Sequence, residues 1–141
     1  MGTVYAEITL KNMGNVINAK KGLVSERDVQ SITVTAVVDT GAASLVINEE
    51  QCQKLGLGIR MERSARVADG RRVFCKVTKP VEVHWKNRCT SCEAMVIPGA
   101  EAVLLGAIAL EGMDLMVNPV SRELVGVHGD TEEYLALKIS A

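Results

Sequence analysis

The sequence predicts one all-β domain with one or two short helices, and three observations lead to it. Apolar residues make up 48% of the 141 but aromatic residues only 3%, so the core has to be built from Val, Ile, Leu, Ala and Met. Val and Ile in short runs fit a pleated, half-buried surface better than a helix. Several of these runs alternate apolar and polar residues with the period of two that a strand imposes, and two of them are joined by Asp69-Gly70, a hairpin signal. The length suits a single domain over residues 1–141, since domains are typically about 100–150 residues long, and no repeat, linker or low-complexity stretch divides it.

Taken in order, residues 3–10 place Val4, Ala6, Ile8 and Leu10 on one face and Thr3, Tyr5, Glu7 and Thr9 on the other, as in a half-buried strand. Asn12, Gly14, Asn15 and Asn18 then read as turns. Residues 31–38 (SITVTAVV) are a second strand, dense in β-branched side chains, and residues 45–47 resume an extended path. Asn48 followed by Glu49 and Glu50 reads as an N-cap with acids in the first turn, opening a helix that Gly56 and Gly58 keep short. Residues 60–68 and 72–85 are the two hairpin arms. Residues 92–97 are a strand candidate stopped by Pro98-Gly99, residues 103–106 a short apolar strand, residues 107–112 a turn or two of helix, and residues 115–117 a further strand. In the tail, 127–141, residues 134–139 alternate like a strand, while Asp130 to Glu133 fit a helix cap as well; strand is preferred.

Composition excludes some functions. A net charge of −1 gives no steering toward nucleic acid or anionic membranes. One Trp, two Tyr and one Phe are too few to stack bases. No basic and apolar leader opens the sequence, Ala6 stands where a myristoylation site needs Ser or Thr, and no apolar stretch can span a bilayer. The expectation is a cytoplasmic protein whose four cysteines stay reduced.

Chemistry enters at Val37-Val38-Asp39-Thr40-Gly41-Ala42-Ala43-Ser44. An Asp closing an apolar strand must be paired or hydrogen-bonded, because an isolated buried charge is costly. Gly41 lets the backbone turn sharply and aim N–H groups at the carboxylate, Thr40 offers a hydroxyl to a neighbouring chain or carbonyl, and Ala42 and Ala43 admit another backbone closely. The tripeptide alone is equally an ordinary turn.

In its context the sequence resembles the retropepsin-like aspartic proteases, in particular their small single-domain prokaryotic members. The resemblance covers residues 3–129 and rests on V-V-D-T-G-A at 37–42, A-D-G at 68–70, and V-L-L-G-A at 103–107 running into D-L-M-V-N-P at 114–119. It implies a closed acid-protease barrel acting as a homodimer, with Asp39, Thr40 and Gly41 catalytic. It also implies that Ala42, Leu105 and a flap at Ala68, Asp69 and Gly70 bind substrate. Retroviral members usually follow the second apolar-Gly with an Arg that braces the dimer; here the residues are Gly106-Ala107-Ile108.

No second Asp is followed by Thr or Ser and Gly; Asp28, Asp69, Asp114 and Asp130 all fail. The chemistry needs two carboxylates sharing one proton, since like charges about 3 Å apart do not both ionise. A second copy of the chain, related by two-fold symmetry, therefore has to supply the other, and the residues 127–141 are a candidate interface strand. The expected activity is endopeptidase cleavage of extended polypeptide, with no cofactor and no metal. The competing reading is a non-catalytic dimeric peptide-binding module that keeps the fold.

Other residues have plainer readings. Cys89-Thr90-Ser91-Cys92 is a C-x-x-C, but it lacks both the helix start of a redox dithiol and a paired second half for zinc, so structural cysteines are expected, ahead of an inter-subunit or opportunistic metal site. His84 is expected to be solvated, His128 to sit in a turn, Arg71 and Arg72 to be solvated at the flap tip, and Trp85 to anchor the core.

Overall fold

The computed structural model describes residues 2–129. Eleven strands and three helices follow in the order β1 (Val4–Asn12), α1 (Met13–Lys20), β2 (Ser31–Val38), β3 (Leu45–Ile47), α2 (Glu49–Lys54), β4 (Ile59–Arg66), β5 (Arg72–Thr78), β6 (Val81–Trp85), β7 (Arg88–Cys92), β8 (Ala94–Val96), β9 (Val103–Leu105), α3 (Ala107–Gly112), β10 (Leu115–Asn118) and β11 (Glu123–Gly126). The domain is mostly β, as its alternating runs predict. No helix among the described residues is long and apolar enough to cross a membrane.

Nine strands form one sheet in the order β4-β5-β8-β3-β9-β2-β1-β6-β7, and β10 pairs with β11 apart from it. Among the described residues the ladder ends at β4 and β7, and no pairing closes it into the barrel expected. Its centre positions the site. Short β9 lies between β2 and β3, parallel to β2 with Val38 opposite Leu105, and antiparallel to β3 through Val46 and Leu104. The chain between β2 and β3 must therefore arch over the end of β9. One face of β1 supplies Ile8 and Leu10 to the core, where Leu45, Ile47, Leu55, Val81, Val83, Val103, Leu105 and Met113 are also fully buried. Burial of this kind stabilises by roughly 25 cal/mol per Å² of apolar surface.

Several elements differ from the sequence reading. Residues 13–20 are a helix, not turns. The Asn12 side chain caps it by accepting from Asn15 N–H at 3.1 Å, Val16 buries beneath it, and Lys20 sits in its last turn. Asn12 Nδ2 also donates to the Leu55 carbonyl at 2.9 Å, and Asn15 Oδ1 accepts from Gln30 N–H at 3.0 Å. These turn-forming residues act here as a cap and cross-links. The arm expected over residues 72–85 breaks at Lys79-Pro80, where Pro80 has no N–H to give a ladder; beside the break, Ala94 N–H donates to Thr78 Oγ1 at 3.0 Å. The strand expected over residues 92–97 is only β8, while β7 and β11 went unread. The helix after Asn48 forms as expected, with a reciprocal cap: Gln51 N–H donates to Asn48 Oδ1 at 2.9 Å and Asn48 N–H to Gln51 Oε1 at 2.9 Å. The expected strand at residues 134–139 lies outside the described residues.

Candidate active site

Asp39 leaves the end of β2 half-buried, its N–H donating to the Leu105 carbonyl of β9 at 3.0 Å. Its Oδ1 accepts the Gly41 N–H at 2.9 Å, and its carbonyl accepts the Ala42 N–H at 3.1 Å, so one tight turn fixes both the backbone and the carboxylate. The arch is pinned from the far side as well: Ala107 N–H donates to the Ala42 carbonyl at 2.8 Å, and Ile108 N–H to the Ala43 carbonyl at 3.0 Å. Gly106 lies directly beneath; a Cβ there would stand 2.5 Å from the Ser44 carbonyl oxygen. Thr40 is exposed, and among the described residues its hydroxyl has no hydrogen-bond partner.

Asp39 and Thr40 line an open, mostly apolar cavity of about 800 Å³, walled by the start of β1, the end of β2, α3 and β10. Glu111 of α3 is the other carboxylate on that wall, and no hydrogen bond joins it to Asp39 among the described residues. The sequence-predicted residues thus fall into three groups. Asp39, Thr40 and Gly41 share one turn, in which Gly41 N–H donates to the Asp39 carboxylate. Ala42 and Leu105 hold the arch through their backbones; Leu105 is fully buried and presents no side chain to the cavity. Ala68, Asp69 and Gly70 do not line this cavity but cap the β4–β5 hairpin, all exposed.

That hairpin is held mainly by its own ladder, Arg66 opposite Arg72 and Glu62 opposite Lys76, and nearly all of β4 is exposed. Its turn is not the two-residue kind that Asp-Gly suggested. Gly70 N–H donates to the Val67 carbonyl at 2.9 Å, putting Ala68 and Asp69 at the centre, and Gly70 follows with φ +88°. Asp69 accepts from Arg71 through backbone N–H and Nε, at 3.0 and 2.7 Å, and these bonds hold its carboxyl below the usual range.

Sequence reasoning missed Arg88. Its side chain is 1% exposed; Nη1 donates to the Met113 carbonyl at 2.8 Å, Nη2 to the Gly129 carbonyl at 2.5 Å, and the guanidinium stands 3.6 Å from Asp114. It braces the junction of α3 and β10, one wall of the cavity, from within the chain. His128, expected in a plain turn, pairs with the same Asp114 through Nδ1 at 2.8 Å. Cys89 and Cys92 do not work as a pair: three apart on a strand, they face opposite sides, and Cys92 packs against the core while Cys89 lies exposed by His84. Trp85 packs on the core as expected, with Lys86 Nζ over its ring at 4.6 Å. His84 is not simply solvated; it bonds Glu82.

A core strand ending in a clamped Asp-Thr-Gly arch, threaded by a second apolar-Gly strand, defines a retropepsin-like protein. Residues 26–112, more than half of the chain, match the family described as "gag-polyprotein putative aspartyl protease", and the chain belongs to that family. Among solved structures it is similar to the retroviral protease-like domain of Ddi1 from Leishmania major, with 18% identity over 89% of this chain and 88% of that one, and a TM-score of 0.55. At that identity the likeness concerns the fold. No curated protein matches the sequence.

Proposed function

We propose that this chain is one half of a homodimeric aspartic endopeptidase, in which Asp39 of each subunit supplies one carboxylate of the catalytic pair. The observation that carries the proposal is the clamped carboxylate: Asp39 stands half-buried at the end of a core strand, one oxygen held by Gly41 N–H at 2.9 Å and the other without a hydrogen bond among the described residues. One such carboxylate is not enough. In the pair, the ionised member takes a proton from a water as it attacks the peptide carbonyl, and the protonated member donates to the carbonyl oxygen and stabilises the gem-diol. Glu111 is a poor second member, being exposed on α3 with no bond to Asp39. A second copy of the arch meets the need by symmetry, and the exposed Thr40 hydroxyl, without a partner among the described residues, is suited to a hydrogen bond across that axis.

The substrate in this reading is an extended polypeptide that adds a strand beside the arch. The β4–β5 hairpin folds over it, Ala68, Asp69 and Gly70 leading, to exclude water. The four free thiols are compatible with a reducing, cytoplasmic setting.

The experiment is digestion of a diverse peptide library by the purified protein, with and without pepstatin, over a dilution series. Cleavage that pepstatin blocks, with specific activity falling on dilution as dimers dissociate, supports the proposal. Saturable peptide binding with no cleavage at any concentration refutes it in favour of a non-catalytic peptide-binding module.

A further inference from the structure

The outer face of the β6–β7 hairpin gathers three chemically distinct donors. His84 and Cys89 are directly opposed across the ladder, and Glu82 lies two residues along the same face of β6. Glu82 Oε1 is 2.5 Å from His84 Nε2, which is 3.9 Å from Cys89 Sγ, and one ligand atom from each residue lies within 4.8 Å of the others. The Glu82 side chain is 12% exposed and that of His84 31%, so the pair is partly shielded from water while Cys89 closes the open side.

These spacings suit a metal ion. With bonds of about 2.0–2.3 Å and tetrahedral angles, oxygen, nitrogen and sulfur ligands of zinc sit about 3.4–3.6 Å apart. The Nε2 to Sγ distance needs to shorten by only a few tenths of an ångström. The Oε1 to Nε2 distance has to lengthen by about 1 Å, as it does when a metal replaces a shared proton between two ligands. A thiolate, an imidazole and a carboxylate together select a borderline ion over Mg²⁺ or Ca²⁺, which prefer oxygen alone.

We propose that Glu82, His84 and Cys89 bind a borderline divalent cation of the Zn²⁺ type, with water in the fourth position. The site is independent of the proposed peptidase chemistry. It also revises the reading of the C-x-x-C: one of its cysteines is a ligand, joined to a histidine on the neighbouring strand, and the other is core. Binding displaces the Cys89 proton. Burial and Glu82 push that thiol up, while Lys20 and Lys11 pull it down. Lys11 stands across from Glu82 in the β1–β6 ladder. The bound ion ties β6 to β7 at the residue next to the buried Arg88 anchor and so stiffens the sheet edge that supports the α3–β10 wall.

The test uses tag-free full-length protein, stripped with a chelator and titrated with ZnCl₂ in competition with a chromophoric chelator, and separately with Co²⁺. The expected result is one Zn²⁺ per chain and a thiolate-to-metal charge-transfer band with Co²⁺. Cys89→Ser should abolish the band. Cys89→Ser and Glu82→Gln should each weaken Zn²⁺ binding by more than the roughly 10–100-fold that loss of an outer partner costs, and Cys92→Ser should leave it unchanged. Zn²⁺ should raise the thermal midpoint of the wild type and not of Cys89→Ser. Absence of saturable one-per-chain binding, a Co²⁺ complex without the thiolate band, or equal loss in Cys92→Ser would each overturn the assignment.

Discussion

The Ala42 carbonyl oxygen lies 2.6 Å from the point a Cβ on Gly106 would occupy, and it accepts the N–H of the next residue, Ala107, at 2.8 Å. The φ of Gly106 is −92°, open to any residue, so glycine is needed there for space and not for conformation. Through this contact the loop that carries Asp39 rests on the strand that threads beneath it.

Replacing Gly106 by Ala therefore forces two backbones apart. The expected cost is about 1–3 kcal/mol, typical of overpacking a filled site. Peptide turnover should fall as well, because the arch that aims Asp39 has to shift. Urea unfolding and turnover on the same preparation check this; a variant unchanged in both would show that the arch does not depend on the contact.

Gly70 makes the contrasting case. It has φ +88° with nothing within 4 Å of a built Cβ, so a side chain there meets backbone strain and no clash. Gly70→Val should cost the fold about 1–2 kcal/mol, as for an L-residue in the left-handed region. Catalytic efficiency should fall far more than that loss explains if the hairpin closes over substrate. Thermal midpoint and kcat/KM measured together decide; unchanged kcat and KM would show that residues 68–70 are not the flap.

These glycines mark how much was legible. Local signals in the sequence were readable: the period of two in β1 and β2, the Asn48 cap, the Asp-Thr-Gly turn and the need for Gly70 at positive φ. What was not readable depends on partners distant in sequence. Asn12 and Asn15 looked like turn residues because their roles as cap and cross-link need Leu55 and Gln30 in place. Arg88 carries no local signal, because its acceptors, the Met113 and Gly129 carbonyls, are brought to it only by the folded chain. Its inward position was available in principle from the alternation of β7, had that strand been recognised. The ladder's ending at β4 and β7 is likewise a matter of long-range pairing, which the alternation of single strands does not specify.

Cys92 gives the protein a dependence on alkaline pH. Burial first, then Glu93, push its thiol from 9.0 up to about 11. Between these values the unfolded chain has lost the proton and the folded chain keeps it, so the stabilisation present below pH 9 is lost as pH rises toward 11. The loss should be roughly 2 kcal/mol for this group. Denaturant unfolding of the wild type and Cys92→Ala across that window measures it, and the decline should be shallower in the variant by this amount. Equal slopes would place Cys92 in water.

In the proposed reading the Asp39 carboxylate performs the chemistry and a second copy of the chain completes it. Asp39→Asn keeps the shape and can still accept from Gly41 N–H, but it removes the base. The direct measurement is peptide turnover by purified Asp39→Asn, alongside sedimentation to determine its association state. The expected result is a folded dimer whose turnover is lower by at least about 10³-fold, within the range for loss of a positioned acid or base. An Asp39→Asn protein that cleaves peptides at the wild-type rate would contradict it.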